Sequence, residues 1–440
     1  MDHLLWARLI MAFSLGFHII FAAISMIMPF YMTIAYRRYL KTHDQAFLQL
    51  THFWSKGVAV LFAIGAVSGT VLSFELGLLW PGFMEHAGPI IGMPFSLEGA
   101  AFFLEAIFLG LFLYGWNKIP TSVHWTCGLM VGVCGLASGI LVVAANGWMN
   151  APSGFTWVNG QAEQIDPWKA FFNEAWIIQA THMTLAAFQA TGFMAAGLHA
   201  FALLKNKNRD LHLKALHIIL PLAFIASLLN PIVGDLSAKS IAQRQPEKLA
   251  ALEAHFHTEK GAGLWVGGIP DESTGEVHWG IKIPKALSFL AFADFDAEVK
   301  GLYDFPADER PPVLITHFAF QTMVGIGSML LLVSLIGLWA LWKKKIWLQH
   351  KRFLYLLSIL TPSGLIALEM GWIVTEVGRQ PWIIYKVLKV SDSVTQVDGL
   401  FGIFLCTLFI YLLLAFFALL ILYKLWQKSL HESLDTMERS

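Results

Sequence analysis

Apolar residues run along this chain in long blocks separated by short polar stretches. A membrane-crossing helix needs about 20 consecutive, mostly apolar residues. Nine blocks meet that length: 4–34, 53–76, 97–116, 121–145, 173–204, 214–234, 312–342, 353–376 and 398–426. The first has no Lys/Arg-rich segment before it and no small-residue cleavage site after it, so it is expected as a helix of the mature protein rather than a signal peptide. One connection is long, 237–311, and carries Pro246, Pro270, Pro284, Pro311 and Pro312. Within it, 246–257 (PEKLAALEAHFH) reads as a short amphipathic helix and the rest as turns. The expected fold is an all-α integral membrane protein with three parts. These are helices one to six (1–236), a long loop (237–311), and helices seven to nine with a short tail (312–440). There is no obvious internal repeat and no low-complexity tract.

Charge sets the orientation. Arg37, Arg38 and Lys41 follow block one, and Lys118 follows block three. Lys205, Lys207, Arg209 and Lys214 follow block five. Lys343, Lys344, Lys345, Lys351 and Arg352 follow block seven, and Lys424, Lys428 and Arg439 lie at or after block nine. The alternate connections carry no Lys or Arg in 77–96 and only Lys169 in 146–172. Cytoplasmic loops hold the excess of Lys and Arg, so the N-terminus and the long loop are expected outside and the C-terminus inside.

Composition narrows the class. Of 440 residues, 56% are hydrophobic and 14% charged, and the mean hydropathy is +0.60. Soluble domains are about a quarter charged, so a water-soluble globule is excluded. Thirty basic residues balance thirty acidic ones, which leaves no global field for a nucleic acid. Cys127, Cys134 and Cys406 fall in apolar stretches, without the spacing of a zinc site or a disulfide framework. Sixteen histidines and 17 tryptophans suggest a cofactor-rich membrane protein, although tryptophan also collects at bilayer interfaces.

Polar side chains inside the blocks are the candidate chemistry, because an ionisable group there is costly and by default functional. His18 lies midway along block one; it reads either as a packed, hydrogen-bonded bundle histidine or as an axial ligand of haem iron. His182 and Met323 lie about ten and eleven residues from the outer ends of blocks five and seven. At about 1.5 Å per residue the two side chains share a depth. Imidazole and thioether so placed fit a six-coordinate low-spin haem, while a methionine alone is ordinary core filler. Glu98 and Glu105, seven residues apart at the start of block three, share a helix face. They suggest a proton relay that Ser138 could extend, with Glu98 alternatively a cap among the headgroups. Glu369 and Glu376 repeat that spacing with Trp372 between them. A carboxylate such as Glu376 can ligate high-spin iron, and Arg379, just after it, can fork onto propionates or anchor at the interface. Lys248 and Glu253, by spacing alone, read as the solvated face of the loop helix.

Seven stretches in order make the sequence similar to subunit I of the cytochrome bd-type quinol oxidases. They are ARLIMAFSLGFH, EGAAFFLEAIFLGLFLYGW, LVVAANGWMNAP, QATHM, KLAALEAHF, FAFQTMVGIG and EMGWIVTEVGRQPW. The resemblance implies a haem-bearing oxidoreductase of respiratory electron transport. Such an enzyme oxidises quinol at the outer loop, the Q-loop, and reduces O2 to water with protons taken from inside. It implies His182 and Met323 as ligands of a low-spin haem b. His18 and Glu376 would be ligands of two high-spin haems, one of type b and, at the oxygen site, haem d or a further haem b. It also implies Glu98 and Glu105 on the proton path, Lys248 and Glu253 at the quinol site, and Arg379 at haem propionates. A homologous subunit II and a small single-helix subunit would be its partners, in the bacterial cytoplasmic membrane. The short Q-loop resembles the group that includes cyanide-insensitive oxidases. One departure stands out. The family usually has Arg two residues before the ligand methionine, and here the residue is Gln321, so a fixed cation is expected to be missing beside the low-spin haem. Two other readings of the buried acids and histidines are a low-spin haem-b electron carrier without oxygen chemistry and a proton-coupled transporter.

Overall fold

The structure, a computed structural model, describes residues 2–158, 161–342 and 349–431; Lys343, Lys344, Lys345 and Arg439 lie outside the described residues. Thirteen α-helices follow in order. They are α1 (Asp2–Thr42), α2 (Gln45–Leu79), α3 (Pro81–Tyr114), α4 (Thr121–Asn150), α5 (Pro167–Phe171), α6 (Trp176–Leu204), α7 (Arg209–Arg244), α8 (Pro246–Leu252), α9 (Ala286–Phe292), α10 (Val313–Trp342), α11 (Lys351–Ile359), α12 (Ser363–Val377) and α13 (Leu400–His431). Among the described residues nine spans are long and apolar enough to cross a membrane, with α11 and α12 together forming the eighth. In a bilayer every backbone N–H and C=O must be satisfied within the protein, so the apolar blocks become helices regardless of intrinsic propensity.

Several spans exceed their apolar cores. α3 begins at Pro81, so 77–96 is mostly helix and Glu98 lies well inside it rather than at its start. Pro89 and Pro94 both sit inside α3. α7 runs to Arg244, past the expected boundary at 236, and carries Pro221 and Pro231. Block eight is broken between Ile359 and Ser363, where Pro362 precedes α12.

The helices pack around α1, which touches α2, α4, α6, α7, α12 and α13. Tyr31, Phe112, Phe193 and Phe224 are fully buried in the central apolar cluster. A second arrangement matters more for chemistry. α6 packs on α7, α7 on α10, α10 on α12 and α12 on α6, closing a four-helix ring. Gly192 lets α6 and α7 approach, since a Cβ there would meet the Ala223 Cβ at 2.5 Å.

The long connection is more structured than its turn-rich sequence suggests. It holds β3 (Glu259–Lys260), β4 (Leu264–Val266), β5 (Ile269–Asp271), β6 (Glu276–His278), β7 (Ile281–Ile283) and β8 (Glu298–Val299), paired antiparallel as β3–β8, β4–β7 and β5–β6. Two further hairpins lie elsewhere, β1 (Thr156–Val158) with β2 (Gln161–Glu163) and β9 (Trp382–Ile384) with β10 (Leu388–Lys389). The expected solvated helix at 246–257 is corrected. α8 stops at Leu252, and every residue from Glu247 to Leu252 is buried. The connection folds down onto the ends of α7 and α10, which removes the solvent that an amphipathic pattern would face.

Candidate redox centre

His182 sits two turns into α6 and Met323 three turns into α10. The count from the apolar blocks placed them level; α6 starts at Trp176 and α10 at Val313, so His182 lies about one turn nearer the start of its helix than Met323 does. Ring geometry brings them into relation. α6 and α10 are diagonal members and, among the described residues, do not pack closely on each other. His182 Cε1 lies 3.5 Å from where a Cβ on Gly234 of α7 would stand, and Met323 Sδ lies 3.2 Å from the same point on Gly371 of α12. His182 Nδ1 is buried with no hydrogen-bond partner. A half-buried imidazole with its Nδ1 unpartnered and a thioether, on opposite walls of a helix ring with glycines beside them, fit the two axial positions of a flat macrocycle.

His18 projects from α1 toward α2. Its Nδ1 is 2.9 Å from Ser68 Oγ, and that hydroxyl donates to the Ile64 carbonyl at 2.9 Å. The serine proton being used, His18 Nδ1 must donate, which leaves the Nε2 lone pair for a metal; a ligand histidine is typically held this way through its other nitrogen. One turn away, Ser14 Oγ donates to Glu75 Oε1 at 2.8 Å. Glu75 is buried, its Oε2 unpartnered, as are Glu369 Oε1 and Tyr411 Oη nearby on the α1 surface. Sequence reasoning missed Glu75; its position at the end of an apolar block was the available signal.

α4 lines the acids. Glu105 is buried, its carboxylate within about 3.1–3.2 Å of where a Gly135 Cβ would sit. Ser138 Oγ donates to Glu98 Oε1 at 3.4 Å. The two acids therefore do share the face that packs on α4, where Ser138 meets Glu98 and Gly135 meets Glu105. Farther along α4, Asn146 Nδ2 donates to Glu376 Oε1 at 2.5 Å, a contact the sequence did not signal. Glu376 Oε2 accepts from Arg379 Nη2 at 2.7 Å. Arg379 is thus paired with the carboxylate beside it, and its Nη1 remains buried and unpartnered. Trp372, between the two acids on α12, packs against the central apolar cluster.

Lys248 was expected on a solvated loop, remote from every iron ligand. The structure corrects both points. Its Nζ donates to Asn150 Oδ1 and to the Thr375 carbonyl, each at 3.3 Å, which sets it beside Glu376. Burial, and Arg379 next to it, pull Lys248 down to about 7. Glu253 is also buried, with Oε2 unpartnered, and burial pushes it up to about 8. Tyr385 Oη donates to Glu247 Oε1 at 2.7 Å and pins the hairpin over this region.

Gln321 does not extend toward the ring. Its Nε2 donates to the Trp265 carbonyl at 3.0 Å, and its Oε1 accepts from the Gly267 N–H at 3.1 Å. The amide thereby ties α10 to the end of β4 in the long connection.

Residues 6–430 match the family pattern of cytochrome bd terminal oxidase subunit I. The chain belongs to the cytochrome bd terminal oxidase subunit I family. A Bacillus subtilis (strain 168) protein named for a cytochrome bd menaquinol oxidase subunit I is 38% identical over the full length of both chains. Subunit 1 of the cytochrome bd ubiquinol oxidase of the same organism is 31% identical, over 90% of this chain and 86% of the relative. The solved bd oxidase of Geobacillus thermodenitrificans superposes with a TM-score of 0.90 at 36% identity, covering 97% of this chain and 99% of that one. The family assignment gives the nine-span helical fold, the multi-pass membrane setting and haem as the cofactor class.

Proposed function

We propose that this chain is the haem-bearing catalytic subunit of a terminal quinol oxidase, oxidising quinol at the Q-loop end and reducing O2 to water. The observation that carries this reading is the placement of His182 and Met323 on opposite walls of the α6–α7–α10–α12 ring. His182 and Met323 would hold a low-spin haem b. His18 and Glu376 would hold two high-spin haems, a haem b and either haem d or a further haem b. When bound, these groups supply the one-electron steps and the binding of oxygen; the protein supplies ligation, spacing and proton access.

Ser68 orients the His18 imidazole, and Asn146 with Arg379 orients the Glu376 carboxylate. Glu98, Ser138 and Glu105 would hold protons along α4, drawn from the basic end of the bundle, which we assign to the inside. Lys248 and Glu253 would accept protons from quinol on the outer side. A low-spin carrier without oxygen chemistry is disfavoured by the second donor group around His18 and Ser68, a cluster such a carrier has no use for.

The large side chains Phe74, Leu78, Phe103 and Tyr114 are exposed on α2 and α3. They suit a homologous subunit II or a small single-helix subunit, as well as lipid of the bacterial cytoplasmic membrane. The deciding experiment purifies the oxidase complex and combines a pyridine haemochrome count, a reduced-minus-CO spectrum and quinol-driven oxygen uptake. Haem without CO binding and without oxygen uptake would leave only the electron carrier.

Glu253→Gln should lower quinol-driven oxygen uptake severalfold while every haem band stays normal, because Glu253 lies on the long connection and is not among the proposed iron ligands. Lys248→Met should lower it too and also perturb the high-spin bands, since Lys248 packs on Thr375 beside Glu376. Full quinol turnover in both variants would remove the quinol role.

The same residues set a pH dependence. The forms able to accept a proton are the neutral Lys248 amine, dominant above about 7, and the Glu253 carboxylate, dominant above about 8. Quinol turnover should therefore rise between those values, and Glu253→Gln should abolish the upper part of the rise. Stability moves with them. Lys248 is depressed, so its destabilisation is greatest below about 7 and eases as pH rises. Glu253 is raised, so the protein loses stability as pH climbs from the ordinary carboxylate range toward 8. A pH profile without an inflection in this interval contradicts both assignments.

A further inference from the structure

The missing cation at position 321 has a counterpart elsewhere in the fold. Arg244, the last residue of α7, folds back along its own helix: Nε donates to the Ser240 carbonyl at 3.3 Å and Nη2 to Ser240 Oγ. Two guanidinium nitrogens are thereby anchored, while Nη1 is buried without a partner. Among the described residues Arg244 forms no ion pair within contact distance.

Its surroundings point to an anion. Arg244 lines a narrow cleft with Asn150, Gln179, Ile241, Gln245 and Lys248. The cleft adjoins a wider opening of about 260 Å³ that shares Asn150 and Arg244 and has Glu174 and Tyr385 at its edge. Gln179 stands three residues before His182 on α6, one turn toward the loop end on nearly the same face. On α7, Gly234 faces the His182 ring, and Ser240, where the guanidinium is held, is about 9 Å farther along the axis. A propionate of a haem held by His182 and Met323 would have to reach this end of α7 to meet the guanidinium. Lys248 lies between Arg244 and Arg379; the carboxylate beside Lys248 is Glu376, and the one acting on Arg244 is Glu174 at the rim. A buried guanidinium nitrogen without a partner is costly, and a planar guanidinium with a free edge suits a carboxylate.

We propose that Arg244 is the cation that fixes the propionate carboxylates of the low-spin haem, taking the place of the arginine usual at position 321. The inference rests on the low-spin reading of His182 and Met323. It makes Arg244 a cofactor-positioning residue and frees Gln321 to tie α10 to the Q-loop. A cation beside the haem favours the reduced, less positive iron. Removing it should lower the midpoint potential without changing the axial ligands.

The test is redox titration of the low-spin α-band in the purified oxidase carrying Arg244→Gln or Arg244→Lys, with haem content measured in parallel. Arg244→Gln should keep its haem and shift the couple about tenfold toward the oxidised form, equivalent to about 59 mV for one electron. Arg244→Lys should shift it less. Wild-type midpoints in both variants at normal haem content overturn the proposal. Should Arg244→Gln shed the low-spin haem, resonance Raman of Arg244→Lys decides. A displaced propionate bending band supports the contact, and an unchanged one overturns it. Absence of any low-spin haem in the wild-type oxidase would instead defeat the assignment of His182 and Met323 themselves, so the two failures are distinct.

Discussion

His182→Ala should eliminate the low-spin α-band from the reduced spectrum and reduce quinol-driven oxygen uptake to background. The imidazole is one of two donors on opposite walls of the α6–α7–α10–α12 ring, and its Nδ1 has no protein partner. The facing residue on α7 is Gly234, which offers no side chain to replace it. The same truncation also removes packing around a half-buried side chain, as large-to-small changes do. Expression and the high-spin bands must therefore be followed together with the α-band. Met323→Leu should act more weakly on packing, since the volume is kept, yet still remove the normal six-coordinate spectrum. A His182→Ala protein with an intact low-spin α-band would refute the ligand assignment outright.

Glu376→Gln has the second large effect. The carboxylate accepts from Asn146 on α4 and from Arg379, and Lys248 stands beside it. Neutralising it leaves buried cations without their anion, and breaking a buried pair from one side costs about 3–5 kcal/mol. The variant should lose oxygen uptake and CO binding at one high-spin centre and melt earlier. Adding Arg379→Gln should recover part of the stability, because the orphaned charge is removed, but not the oxygen uptake. Recovery of both by the double variant would make Glu376 a partner of Arg379 only, with no ligand role; wild-type uptake in the single variant would have the same meaning.

Much of this protein was legible in the chain itself. Nine apolar blocks determine nine spans because a bilayer offers backbone groups no other partner. His18, Glu98, Glu105, His182 and Glu376 stood out because polar groups are rare at such depths. Glu98 and Glu105 both face α4 as the helical period required, since seven residues return to one face of a helix.

Tertiary structure alone decided the rest. α3 begins at Pro81 and takes in Pro89 and Pro94, where the limits of the apolar blocks placed a connection. The Lys248–Glu253 segment has the pattern of a solvated helix, but the Q-loop folds it onto α7 and α10, burying both residues and moving Lys248 beside Glu376. Periodicity cannot report this, because it records which side chains share a face and not what covers that face. Gln321 is two residues from Met323 in sequence, yet its amide binds the backbone at Trp265 and Gly267. Arg244 is far from Met323 in sequence and carries no motif, yet its guanidinium is folded back toward the ring. Where a charge stands relative to a haem depends on helix ends and side-chain anchors brought together by packing, and no spacing along the chain encodes that.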